Sequence, residues 1–173
     1  MNFVLSVNKN WVAKDQNEVN LIGNLEHLKQ LTNNKVVVYN NQFLFKKINK
    51  NLLKNKICVC FSQNKIEEEK NVVTNLKDLF EFLSFYTSDN IFVLGDVNFI
   101  KSLLPYCKKA YITKIDKIAK DDQSFNNLDE DENWELLKTS DPLFEDGIMY
   151  YFCEYVNKNP QKFNYGYEED DLI

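Results

Sequence analysis

The chain has a single histidine, and that shortage removes two common kinds of site at once. A tetrahedral zinc centre of the usual Cys and His composition is out of reach. A Ser-His-Asp or Cys-His device would have to use His27. His27 lies in a helical pattern with no nucleophile motif beside it and reads as a helix-surface residue. No Cys-x-x-Cys pair occurs among Cys58, Cys60, Cys107 and Cys153. Cys58 and Cys60 lie two apart in an apolar run and share one face of a strand, so the four read as buried free thiols in a reducing cytoplasm. Basic clusters are absent too. Lysines are dispersed, 26 acidic residues outnumber 21 basic ones, and the net charge is −5. Phosphate neutralisation needs a basic face, so the expected partners include no nucleic acid. No apolar run approaches the roughly 18 residues that cross a bilayer. Met1 to Val7 lacks the basic n-region and long apolar h-region of a signal peptide. The expectation is a cytoplasmic protein with no membrane partner.

What is present is a globular pattern, 44% hydrophobic and 14% aromatic over 173 residues. That length suits one domain with a substantial core. Phe3–Val7, Lys35–Tyr39, Ile57–Phe61 and Ile91–Leu94 are short apolar runs without alternation, the pattern of strands buried on both faces. Apolar positions 21, 22, 25, 28 and 31 predict a helix, with Asn20 or Asn24 as cap and Asn33-Asn34 as its end. Leu76, Leu79, Phe80, Phe82 and Leu83 predict another. Trp11–Asn20 reads as a loop, Gln42–Ile48 as a short helix, and Asn71–Thr74 as a short strand.

The most informative stretch is Ile91-Phe-Val-Leu-Gly95, followed by the helical spacing Val97, Phe99, Ile100, Leu103, Leu104, then Pro105 and a strand at Tyr111–Ile115. Strand, glycine turn, helix, strand is a βαβ unit, in which ligands bind at the carboxyl ends of strands and phosphates at helix N-termini. After a polar segment anchored by Phe125 and Leu128, Trp134–Lys138 and Met149–Val156 predict a closing antiparallel pair. The expected fold is α/β, a mainly parallel central sheet flanked by helices with an antiparallel C-terminal edge. One domain over 1–158 and an acidic tail over 159–173 complete the expectation.

This order of elements resembles dihydrofolate reductase. The resemblance rests on Lys35-Val-Val-Val-Tyr39, Ile91-Phe-Val-Leu-Gly-Asp96, Leu103-Leu-Pro-Tyr-Cys-Lys-Lys-Ala-Tyr-Ile-Thr-Lys-Ile-Asp116, Asp122-x-x-Phe125 with Trp134 beyond, and Tyr150-Tyr-Phe-Cys-Glu-Tyr155. It covers Phe3 to about Asn157. It implies NADPH-dependent reduction of dihydrofolate to tetrahydrofolate, with a pterin and a nicotinamide nucleotide as partners, in a monomer or homodimer. It also implies a substrate wall of Val4, Leu25, Leu28 and Ile48, with Thr113 hydrogen-bonding towards the pterin. Ser62 and Gln63 would meet the adenine ribose phosphate, and Asp122 would brace the active-site loop.

The departures fall on the chemistry. The family's acidic residue at the start of the first helix is Asn24 here, which hydrogen-bonds but carries no charge. Glu26 is the nearest carboxylate and should point away, about 200° round the helix. The Gly-Arg-x-Thr cofactor segment reads Asn40-Asn41-Gln42-Phe43, with Lys46 and Lys47 as the cations nearby. The double glycine, which in the family carries a cis bond and approaches the pyrophosphate, reads Gly95-Asp96 and leads into Val97. The tyrosine beside the nicotinamide becomes Ile100, and the arginine for the glutamate tail becomes Asn55. Two other readings therefore stand beside the reductase: a degenerate member kept as a binding or interaction module, and a reductase of another pterin or pyrimidine.

Overall fold

A computed structural model describes residues 1–13, 21–40, 51–64, 66, 69–118 and 123–163. Its centre is strand β1, Asn2–Asn8, all seven residues of which are buried. The chain then forms α1 (Ile22–Leu31), β2 (Val36–Asn40), β3 (Ile57–Phe61), β4 (Val72–Val73) and α2 (Leu76–Leu83). It continues through β5 (Ile91–Leu94), α3 (Val97–Leu103), β6 (Lys109–Ile115), β7 (Trp134–Thr139), β8 (Leu143–Glu145) and β9 (Ile148–Asn157). One nine-stranded sheet runs β4-β3-β2-β5-β1-β6-β9-β7, with β8 paired to β9. Every pairing from β4 to β6 is parallel, and the β9 pairings are antiparallel. The parallel sheet with an antiparallel edge is as the residue pattern predicts.

The unalternating runs are explained by cover on both faces. Phe3, Leu5 and Val7 point into a core with Leu79, Phe80 and Leu83 of α2 and Val97, Phe99, Ile100 and Leu103 of α3. On the other face Val4, Val37, Tyr39, Cys60, Phe92 and Leu94 pack with Leu28 of α1 and Leu52. Alternation along β1 puts Val4, Ser6 and Asn8 together on the α1 side. Phe163, near the end of the described chain, stacks on Phe80 with ring centroids 5.5 Å apart.

Several expectations shift by a residue or two: β1 begins at Asn2 and ends at Asn8, β2 ends at Asn40, and β6 begins at Lys109. The helix expected over 42–48 lies outside the described residues, and 51–53, beyond its expected end, are helical. Trp11, expected in a polar loop, is 6% exposed. It packs edge-on to Tyr155 and under the Lys114 ammonium, 5.0 Å from its ring. Lys114 also reaches Asp129 at 2.7 Å, and Tyr155 donates to the same carboxylate at 2.6 Å. Burial pushes Asp129 up, but these hydrogen bonds win and hold its carboxyl below the ordinary value. His27 is half-buried and stacked on Phe152 at 3.9 Å, not a free surface residue, because α1 lies against β9. Of the thiols, Cys60, Cys107 and Cys153 are buried and Cys58 is half-buried. Burial pushes Cys58 and Cys60 up to about 11 and Cys107 to about 12, so these three stay protonated at neutral pH.

Asn8 is 1% exposed, and neither polar atom of its side chain has a hydrogen-bond partner among the described residues. A buried polar group without a partner costs about 1–3 kcal/mol. Asn8→Leu, of similar volume, is therefore expected to raise unfolding stability by ~1 kcal/mol or more. Urea titration would show the midpoint moving up; a lower midpoint would mean that Asn8 is satisfied in solution.

Candidate functional site

The carboxyl ends of β1 and β6 lie side by side, with Ser6 opposite Thr113. The first turn of α1 brings Asn24 over this pair. Thr113 donates its hydroxyl to Asn24 Oδ1 at 2.6 Å, and Asn24 Nδ2 donates to Ser6 Oγ at 3.3 Å. Thr113 is 2% exposed and Ser6 7%, so the two hydroxyls are supporting groups and the half-buried Asn24 is the outward one. An amide that has used one lone pair and one N–H keeps one of each for a further partner. Val4 and Leu28 meet in one cluster beside this network, and Leu25 is half-buried on the same helix. The structure thus brings together Asn24, Thr113, Val4 and Leu28. Ile48, Asn41, Gln42, Lys46, Lys47 and Asp122 lie outside the described residues.

Asn24 lies inside α1 and does not cap it. Asn20 is outside the described residues, and Leu21 stands at the N-cap with no side-chain bond. The first free amides are taken by Glu145, from the far end of the chain. Its Oε1 accepts from Ile22 N at 2.6 Å, and its Oε2 from Gly23 N at 3.2 Å and from the Tyr150 hydroxyl at 3.2 Å. The hydrogen bond from Ile22 is the main reason the Glu145 carboxyl titrates below its ordinary value. A carboxylate suits the positive end of a helix. Glu26 is exposed, as expected from its place on the helix.

Glu145 was not visible as a functional residue, nor was β8. A signal for both exists: Asp146-Gly147 between Leu143-Phe144 and Ile148-Met149. Asp146 has φ 49° and Gly147 φ 73°, the positive pair that a tight two-residue hairpin of type I′ demands. That turn pairs Glu145 with Ile148 and delivers the carboxylate to α1. Ser6 was missed because a serine in an apolar strand carries no motif.

The second cluster sits where β5 ends. Gly95 is buried, and a side chain there would come within 2.8 Å of both Asn40 Oδ1 and Phe99 Cδ1. Asp96 then caps α3, its Oδ1 accepting from Phe99 N at 2.9 Å. Its Oδ2 accepts from Asn40 Nδ2, and Asp96 N donates back to Asn40 Oδ1 at 3.4 Å. The cis bond implied for Gly95-Asp96 is absent; the described residues contain no cis peptide. Val97 and Ile100 are core residues, 5% and 0% exposed. Ser62 is buried and its hydroxyl accepts from Asn64 N at 3.3 Å, whereas Gln63 is exposed. Asn55 is exposed in a turn, and neighbouring Lys56 is tied to Thr32 O at 3.1 Å.

The mainly parallel sheet with helices against it defines an α/β protein, a class in which ligands bind at the carboxyl ends of the parallel strands. The family model described as dihydrofolate reductase matches residues 1–157. The chain belongs to the dihydrofolate reductase family. A dihydrofolate reductase of Bacillus subtilis strain 168 is 26% identical over 167 residues, spanning 94% of this chain and 97% of that protein.

The family implies NADPH, and among the described residues the end of β5 does not fit it as the family holds it. The Phe99 amide in the first turn of α3 is capped by the Asp96 carboxylate, which Asn40 fixes in place. A fixed anion repels a phosphate and competes for the same N–H groups. The chain also contains no arginine, so no bidentate grip on the 2′-phosphate exists. Asp96→Gly is expected to strengthen NADPH binding on the order of tenfold in a tryptophan-quenching titration. Equal affinity in the two proteins would show that the carboxylate is no obstacle.

Proposed function

We propose that the chain is a dihydrofolate reductase-like protein that binds dihydrofolate-class pterins in the β1–β6–α1 crevice. Its reaction is NADPH-dependent reduction to tetrahydrofolate, limited by a weak hold on the cofactor. The observation that carries this reading is the Asn24–Thr113 hydrogen bond of 2.6 Å, with Ser6 behind it and the Val4–Leu28 wall beside it. Family membership over residues 1–157 supports the reaction class. The outward amide of Asn24 offers one acceptor and one donor to the ring edge, where a carboxylate would offer acceptors alone.

The chemical consequence concerns the proton. Asn24 has no proton to exchange near neutral pH and no charge to favour a protonated ring. The proton that the reduction requires therefore comes from solvent, and turnover rises as pH falls towards the range where the free substrate protonates. The chain's own groups orient the ring and exclude water from one side.

The Asp96–Asn40 lock favours a second reading, in which the pterin side is retained for binding without turnover. A steady-state assay with dihydrofolate and NADPH separates the two. The reductase reading expects slow turnover that climbs on acidification, and Asn24→Asp raising the neutral-pH rate by about a hundredfold. No turnover in either protein at saturating cofactor, with dihydrofolate still bound, would leave the binding reading standing and remove the reductase.

A further inference from the structure

We propose that Glu145 is a positioning residue for the pterin site, a strap from the C-terminal hairpin that sets the first turn of α1 and so the aim of Asn24. The inference rests on the pterin-binding reading above.

The strap has three interlocking parts. Glu145 holds Ile22 N at 2.6 Å and Gly23 N at 3.2 Å, so both oxygens of one carboxylate grip successive amides immediately before Asn24. Tyr150, 2% exposed, donates to Glu145 Oε2 at 3.2 Å and fixes the carboxylate from below. Tyr150 itself packs with Leu21 and Ile115, the residue two beyond Thr113 on β6. Gly23 is the notch: a Cβ there would collide with the Tyr150 hydroxyl. The φ at Gly23 is not positive, so it is space and not backbone freedom that requires glycine.

Among the described residues, the first turn of α1 has no side-chain cap without Glu145, since Leu21 offers none. The amide of Asn24 would then be held at its tip only, by Thr113 and the longer contact to Ser6. A frayed first turn moves the one outward group of the site. Glu145 does not replace the missing acid. Its oxygens are engaged by three donors, and its carboxyl titrates below the ordinary value, which makes it a poor proton donor. Its role is exercised through Asn24.

A double-mutant cycle on the full chain tests this, read by calorimetric titration with 7,8-dihydrofolate. Glu145→Ala is expected to weaken binding about tenfold, and Glu145→Gln, which keeps an acceptor, about twofold. In an Asn24→Ala background, Glu145→Ala should cost less than about twofold, because the group being aimed is gone. Gly23→Ala, which spoils the notch while keeping the Glu145 side chain, should reproduce the loss and stands in if Glu145→Ala does not fold. Binding unchanged by Glu145→Ala, or a loss that carries over in full to the Asn24→Ala background, would overturn the proposal. If the parent chain binds no dihydrofolate, the pterin reading fails and the strap is judged separately by NMR. The strap then predicts faster exchange at the Ile22 and Gly23 amides and a shifted Asn24 side-chain resonance in Glu145→Gln. Identical spectra would sink it.

Discussion

The structure depends on β1 being buried on both faces between two parallel neighbours. With β5 on one side and β6 on the other, its apolar residues are taken alternately by α2 and α3 below and by α1 above. A strand so confined cannot slip by one residue without exchanging its two faces. Register is therefore fixed where it matters: Ser6 stands opposite Thr113, and α1 must carry Asn24 to meet them. The same confinement makes Asn8 conspicuous, a buried amide on the ligand side of the strand with neither atom paired among the described residues.

The two clusters differ in charge. Around Asn24 a neutral amide sits in a hydrogen-bond frame with Thr113 and Ser6. At the end of β5 stands a carboxylate. Asp96 satisfies the α3 terminus internally and is held by Asn40, so the helix end that anions favour already has one. Loss of a charge weakens catalysis of a ligand still bound; gain of a like charge weakens the binding itself. That asymmetry is why the account separates substrate affinity from turnover.

The sheet was legible because burial on two faces leaves a direct mark, a run such as Ile91–Leu94 with no polar alternation. Asn24 and Thr113 could be linked through the family resemblance, and the structure joins them by a hydrogen bond. Caps were not legible in the same way. Asn20 and Asn24 suit an N-cap locally, but the amides of α1 are bound by a residue more than a hundred positions away, which no local rule could find. The type I′ hairpin that delivers Glu145 did have a local signature in Asp146-Gly147. Its strand β8 is only three residues long and was hidden by its brevity. His27 was misjudged, and the burial of Trp11 within its loop was not legible, for a related reason: both are covered by Phe152 and Tyr155 of β9, contacts fixed by topology and not by neighbouring sequence.

The central claim is that this family member retains a pterin site while its own Asp96 disfavours the nucleotide. The most direct measurement is a pair of equilibrium titrations of the unaltered chain, with dihydrofolate and with NADPH, in one buffer. The account predicts dihydrofolate binding at least on the order of a hundredfold tighter than NADPH. NADPH binding as tightly as dihydrofolate, or more tightly, would contradict it.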